Sequence, residues 1–542
     1  MSTHEYARIA DELFSERDKM KPLWDWLAEH IMPRKADILR ELKDTDGKSK
    51  HSSTASESVS LLVGAVFNEI TPMGGLWMEY ASPTGKTEGH KLWYRNASEQ
   101  TLRQLAMSNF YSAIHEHDID WAVFGTAATF AEEVGTGELR FTHAQVGSFA
   151  FAEDSSGTPN TWAHEFSYTA AQLVDEWGVD RLPEQVRNAY NEPRDRYTKT
   201  FRVHHLIRPR KGFVRPNGKK YQPRKLMPYE SVYFMGEGNR EIIAESGYAE
   251  FPVLISRFLR WDDKWGYPPG LNARTEINRE VKLERMLDML AELQVFPRFF
   301  IDAEQDGDVN FRPGSQTVID RAVAGLNLPR EWGSQGRYDI GEARLARTTE
   351  KIEKAFFVPF LRVVSGQDRA MTATEVVARQ SEQVIAITSA FSRYVSDFKT
   401  LQARIFAILF RAGKFDTNKG TMPEELVSLT ADRRSFAIIP PEVEYRGRIM
   451  QAIRASQKQS LDYSLESAIN YVQATQDPSA MDRIDASKVV EFIFQSMGAP
   501  SEVFRTDAEV RLLREERQAA AQAALEVQRA EAAAKNAQAG AV

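Results

Sequence analysis

The chain contains no cysteine. That excludes a disulfide framework, a thiolate zinc site and a cysteine nucleophile, and it suits a reducing compartment. No run of about 18 apolar residues occurs, so no membrane span is expected. The opening "MSTHEYARIADELF" is polar and amphipathic and lacks the basic-then-apolar order of a secretion signal. Positive charge is not in surplus either. Lys and Arg number 69 against 76 Asp and Glu, a formal net charge of −7 over 542 residues. A protein that grips duplex DNA through many phosphates shows a basic domain or stripe, and none is visible. There is no HExxH, P-loop, G-x-S-x-G or dinucleotide fingerprint. "GTGEL" (135–139) reads as a hairpin turn, not a phosphate cradle. A nucleotide-driven motor is therefore excluded.

Apolar residues make up 42% of the chain and charged residues 27%, the balance of a soluble globular protein of one large or several ordinary domains. The patterning predicts an α+β fold that is mainly helical. One long amphipathic helix is expected over 3–32, where Tyr6, Ile9, Leu13, Met20, Leu23, Trp24, Leu27 and Ile31 recur at helical spacing before Pro33. Ser52, Ser53 or Thr54 can cap a second helix to Ile70, followed by a short strand, "LWMEYAS" (76–82). A third helix covers roughly 90–123, with Leu102, Leu105, Phe110 and Ile114 inward. After Phe124 come β-rich runs between turn residues: "ATFAEEV", "ELRFTHA", "GSFAFAED", "TFRVHHLIRP", "SVYFMG" and "REIIAESG". Helices at 169–178 and 182–191 interrupt them. Long helices follow at 270–295 and 341–358, on either side of a mixed insert, 296–340. Pro359 and Gly366 punctuate the next stretch, and 372–412 is the longest candidate helix, about 60 Å if unbroken. Residues 442–500 read as helical, and 501–539 combine high helix propensity with few large apolar side chains.

Few residues point to chemistry. In "DAEQDGDVNFRP", Asp302, Glu304, Asp306, Gly307 and Asp308 are spaced like the start of a calcium loop, but the twelfth position is Pro313. A bidentate Glu is required there, so an exposed acidic turn is expected. His115 and His117 project about 200° apart on a helix, and His204 and His205 point to opposite faces of a strand. Neither pair converges on a metal. Trp24, Trp26, Trp77, Trp93 and Trp121 are expected in the core. Residues 274–292 carry Arg274, Glu276, Arg279, Glu280, Lys282, Glu284, Arg285, Asp288 and Glu292, too much charge for burial in a lone domain. One reading is a solvated face with i,i+4 pairs; the other is a wall helix shared between copies.

Five stretches, in order, carry a resemblance: "PLWDWLAEHIMP" (22–33), "FNEITPMGGLWMEYA" (67–81), "DWAVFGTAATFAEEV" (120–134), "GYAEFPVLISRFLRWDDKWGYPPG" (247–270) and "AMTATEVVARQSE" (370–382). Together they resemble the head-to-tail connector (portal) proteins of tailed bacteriophages, of the short-tailed podovirus type, over about residues 5–500. Gly266-Tyr267-Pro268-Pro269 departs from the family's Tyr-Gly at the end of the fourth stretch, and the final 40 residues match no motif.

The resemblance implies a portal fold. It has a wing (1–265), two stem helices (266–295 and 341–362) around a clip (296–340), and a tunnel loop (363–371). A long tunnel helix (372–412), a crown (413–500) and a C-terminal helical barrel or flexible tail (501–542) follow. It implies a homo-oligomeric ring of twelve subunits at one capsid vertex, in a virion made in the host bacterial cytoplasm. It also implies a channel for double-stranded DNA and contacts with the terminase large subunit, tail adaptors, scaffolding and major capsid proteins. No enzymatic activity, cofactor, metal or membrane span is implied. Gln367, Asp368 and Arg369 would face the channel, and Asp302, Glu304, Asp306, Asp308 and Arg312 would serve docking at the clip. A ring of Arg369 side chains would surround a duplex bearing one negative charge per ~1.7 Å; pairing with an acidic neighbour is the alternative. The net negative charge suits a passage through which DNA slides. A ring-forming collar or tail adaptor, or a metal-dependent hydrolase, are the rival readings.

Overall fold

The structure, a computed structural model, describes residues 3–32, 52–81, 88–213, 224–238, 240–260, 263–295, 298–300, 330–332, 337–364, 373–415, 420–429, 436–445 and 464–470, and scattered residues between 484 and 527. They fall into two compact units: 1–75, 99–415 and 424–440 form one, and 76–98, 416–423 and 441–542 the other.

The stretch 3–32 forms two helices, where one was expected: α1 (Thr3–Asp18) and α2 (Lys21–Ile31). Pro22 lies in the first turn of α2, where its missing N–H costs nothing. Inside a continuous helix it would remove the bond to the Asp18 carbonyl. Helix α3 (Thr54–Ile70) and strand β1 (Met78–Ala81) follow. The expected helix over 90–123 is also divided, into α4 (Glu88–Met107) and α5 (Phe110–Phe124). Asn109 makes the break. Its amide donates to the Phe141 carbonyl at 2.6 Å and its oxygen accepts from the Phe141 N–H at 2.9 Å, docking on a strand edge as a peptide group would.

Gly125, at φ 78, ends α5 and starts the β region. Strands β2 (Thr126–Val134), β3 (Glu138–Ala144), β4 (Phe149–Glu153) and β5 (Pro159–Thr169) lead to two short helices, α6 (Ala170–Trp177) and α7 (Glu184–Asn191). A Thr169–Gln172 capping box starts α6. Strands β6 (Thr200–Pro209), β7 (Tyr229–Met235), β8 (Ile242–Tyr248) and β9 (Val253–Arg257) complete the region. They form a five-stranded sheet, β4-β5-β6-β7-β8, and a three-stranded one, β3-β2-β9, with every pairing antiparallel. The larger sheet is buried on both faces. Tyr6, Leu13 and Phe14 of α1 cover Leu206, Val232 and Phe234 on one side; α6 and α7 cover Val203 and Met235 on the other. Phe130 of the smaller sheet stacks on Trp162 at 5.9 Å. Strand β5 was not expected from the sequence. Its Glu165 breaks the apolar pattern, yet here it pairs with the buried Arg17 at 2.8 Å.

Next come the single turn α8 (Pro269–Asn272), α9 (Arg274–Val295), and strands β10 (Arg298–Phe300) and β11 (Arg330–Trp332). Helices α10 (Tyr338–Ala355), α11 (Val358–Val364) and α12 (Ala373–Arg411) follow. A hairpin of β12 (Val427–Leu429) and β13 (Phe436–Ile438) precedes β14 (Glu442–Tyr445). The stretch from 442, expected to be helical, therefore opens with a strand. Val443 and Tyr445 alternate inward, and the strand pairs with β1 in the second unit, Met78 opposite Tyr445. Trp77 stacks over Tyr445 at 6.1 Å, and the Tyr80 N–H donates to Ser98 Oγ at 2.8 Å. Residues 464–470 are helical.

Candidate assembly and channel site

Helices α9 and α10 form an antiparallel hairpin. Glu280 meets Thr349, and Leu287 lies against Gly341, where an added Cβ would come within 2.6 Å of the leucine side chain. The pairing β10–β11, with Arg298 opposite Trp332, closes the distal end. The seam holds little apolar substance: Ile277 and Leu287 from α9, Ile352 from α10. Most other side chains of the hairpin are exposed or half-buried, including Met286 at 63% and Val295 at 69%. Such a pair of helices is a poor independent core.

Two carboxylates occupy this seam. Glu280 is buried and satisfied by three hydroxyls: Ser52 Oγ donates at 2.5 Å, Thr54 Oγ1 at 2.9 Å and Thr349 Oγ1 at 2.8 Å. It thereby ties the start of α3 and the middle of α10 to α9. One turn on, Glu284 keeps a buried oxygen without a hydrogen-bond partner among the described residues. Its carboxyl is pushed up to about 7, by burial first and then by the like charges of Glu280 and Asp288.

The other component is the attachment of α12 to the β region. Between α10 and α11, Phe357 adopts φ 61, a strained turn that lets Phe356 and Val358 both bury. The C-terminal half of α12 packs on β9 and carries four polar tethers. Tyr394 donates to Asp118; Asp397 accepts from the Arg257 N–H at 3.2 Å; Arg404 donates to the Ala131 carbonyl at 3.1 Å; and Arg411 pairs with Glu250 at 3.0 Å. Burial raises the carboxyls of Asp118, strongly, and of Asp397, to about 6. Beside this joint, Gly125 and Gly266 touch backbone to backbone, so tightly that a Cβ on Gly266 would collide with the Gly125 carbonyl. The Phe258 N–H donates to Gly125 at 2.8 Å, and the Gly266 N–H donates to Thr126 Oγ1 at 2.7 Å. Two of the motif stretches noted in the sequence, far apart along the chain, thus meet at one glycine contact.

The sequence profile of the bacteriophage head to tail connecting proteins matches residues 3–504. The chain belongs to that family. Members of this connector family are structural proteins. The portal protein of Salmonella phage epsilon15 is 24% identical over 542 residues, spanning 97% of this chain and 93% of the relative. The probable portal protein of Bordetella phage BPP-1 is 24% identical over 553 residues, with the same two shares, 97% and 93%. Among solved structures, a chain from the virion of a native gene transfer agent particle matches at 11% identity. It covers 68% of this chain and 80% of that one, with a TM-score of 0.32. At that score the likeness decides nothing.

For this connector chain, the residues expected at the channel and the docking insert lie outside the described residues. Gln367, Asp368 and Arg369 fall between α11 and α12, and Asp302, Glu304, Asp306, Asp308 and Arg312 fall between β10 and β11. Only their flanks are described. The histidines diverge: His115 is exposed, edge-on to Phe67, while His117 is buried against Thr129 at 2.9 Å. His204 meets Phe14 and Phe234 on one sheet face, and His205 meets Ser231 and Trp162 on the other. Among the described residues, no group of three or more His, Asp or Glu could hold a metal ion, and no helix is long and apolar enough to cross a membrane. Trp24, Trp77, Trp93 and Trp121 are buried. Trp26 is half-buried, stacked on His30 and under the Arg274 guanidinium. The sequence reading missed the Glu280 clasp. Its signal was the run Glu280, Glu284, Asp288 at intervals of four, which puts acids on one helix face.

Proposed function

We propose that this chain is the portal subunit of a tailed bacteriophage: copies assemble into a twelve-membered ring at one capsid vertex, and double-stranded DNA passes through the central channel during packaging and ejection. One structural observation carries the reading beyond family membership. The α9–α10 hairpin has too small an apolar seam to stand alone and exposes large apolar side chains, as expected of a wall completed by neighbouring copies. A ring requires a heterologous contact whose rotation closes, and two antiparallel helices with unlike outer faces suit one.

In this reading residues 266–295 and 341–362 are the stem, and residues 296–340 are the clip that docks the terminase and later the tail adaptors, through Asp302, Glu304, Asp306, Asp308 and Arg312. Residues 363–371 are the tunnel loop, with Gln367, Asp368 and Arg369 toward DNA. Residues 1–265 are the wing, 372–412 the tunnel helix, 413–500 the crown and 501–542 a barrel or tail. Scaffolding and major capsid proteins meet the ring at its vertex.

Electron microscopy of the purified full-length chain tests the proposal. Rings with an open centre are expected; compact monomers at every concentration would end it. Deleting 301–329 should leave rings that no longer bind the packaging motor. Arg369→Glu should permit assembly and change the amount of DNA retained; normal genome content would remove the loop from the channel.

A further inference from the structure

Among the described residues, the hairpin leaves charges of both signs without ion-pair partners. Glu284 forms no ion pair among the described residues, and neither α8, α3 nor the seam face of α10 brings a cation to it. From α9 itself it meets the acids Glu280 and Asp288. Helix α8 has no charged residue, and the charges of α3 are Glu57 and Glu69, both acidic. The seam face of α10 offers Gly341, Leu345, Thr348 and Ile352, none of them charged. Glu284 is only half-buried, so part of its side chain remains accessible.

Arg344, Arg347 and Lys351 recur along α10 at spacings of three and four and therefore share one flank. All three are exposed, and none forms an ion pair among the described residues. Their flank is turned roughly 100° from the seam face of their own helix, away from the Glu284 of the same chain. Elsewhere the hairpin uses its charges locally, as in Arg279–Glu276 and Arg337–Asp339.

We propose that the seam is completed in trans: the Arg344–Arg347–Lys351 flank of a second copy supplies the cation for Glu284. The proposal rests on the ring reading above and names the residues of one of its contacts. It joins two different surfaces, α9 of one copy and α10 of the next, which is the heterologous type. It also links assembly to protons. The free carboxyl holds its proton up to about 7, whereas a paired one must be ionised. Association then releases a proton, strengthens as pH rises and weakens as pH falls below 7.

Charge exchange tests it. Two full-length variants are made, Glu284→Lys and the triple Arg344→Glu, Arg347→Glu, Lys351→Glu. Each alone sets like charges at every interface, and ring formation should need roughly tenfold or more protein. Mixed, the two can alternate with opposite charges at both kinds of contact, and rings should return. Rings from either variant alone at the wild-type concentration would overturn the proposal. So would a mixture that stays unassembled while both chains keep wild-type circular dichroism and melting. Should either variant misfold, Glu284→Gln decides: the loss of wild-type rings between pH 8 and pH 6 should flatten, and an unchanged pH profile refutes the contact. A wild type that never forms rings would instead defeat the portal reading itself.

Discussion

Glu165 in the five-stranded sheet and Glu284 in the hairpin are both half-buried glutamates, and the fold treats them in opposite ways. Burial works against the Glu165 charge, but His204 at 3.7 Å and the Arg17 guanidinium at 2.8 Å outweigh it and hold the carboxyl at about 2. Glu284 has burial, two neighbouring acids and no cation, and rises to about 7. The difference extends to the regions around them. The sheet is covered on both faces, and the buried Arg17 of α1 beside it is paired within the chain. The hairpin has a thin seam and an acid with no counter-ion among the described residues. Among the described residues, one region pairs its half-buried acid within the chain, and the other does not.

The contrast can be broken most directly by truncation. Trp162→Ala removes a fully buried ring stacked on Phe130 and should cost about 3–5 kcal/mol in urea denaturation. Leu287→Ala, in the hairpin, should cost about 2 kcal/mol, the lower end for such a change. Equal losses would mean that the seam is a core after all. A smaller effect is expected at the paired acid. Glu165→Gln should destabilise by about 2 kcal/mol at pH 7, less than for a fully buried pair. The folded carboxyl lies below its ordinary value of 4.5. The wild-type advantage should therefore be full above pH 4.5 and fade as pH falls toward 2. An advantage that persists at pH 2 would show that charge is not its source. The smallest effect has the opposite sign. The folded Glu284 carboxyl lies above 4.5, so wild-type stability should fall as pH rises from 4.5 to 7. In the unassembled chain Glu284→Gln should remove that fall and gain less than about 1 kcal/mol at pH 8, because solvent screens a half-exposed group. Destabilisation by Glu284→Gln under those conditions would remove the contrast.

Much of the secondary structure was legible. The long α12, the hairpin helices and most strands of the β region follow the periodicity of their apolar residues. Three misreadings share a cause. Pro22, Asn109 and β5 each depend on a partner far along the chain or on a local break that periodicity averages away. Asn109 stops a helix because the Phe141 edge is there to receive it. Strand β5 tolerates Glu165 because α1 brings Arg17. The charge on α9 reads as too much for burial in a lone domain; Ser52, Thr54 and Thr349 nevertheless bury one of its acids.

The sequence by itself determined most of which segments are helix and which are strand, and through five ordered motifs it determined the family. Those properties are local: apolar spacing, turn residues and short signatures survive without knowledge of what lies opposite. Only the tertiary structure decided which acid is clasped, which is paired and which has no counter-ion among the described residues. The free energy of a carboxylate depends on the atoms within a few ångströms of it, and for Glu280 those come from residues as distant in sequence as Ser52 and Thr54.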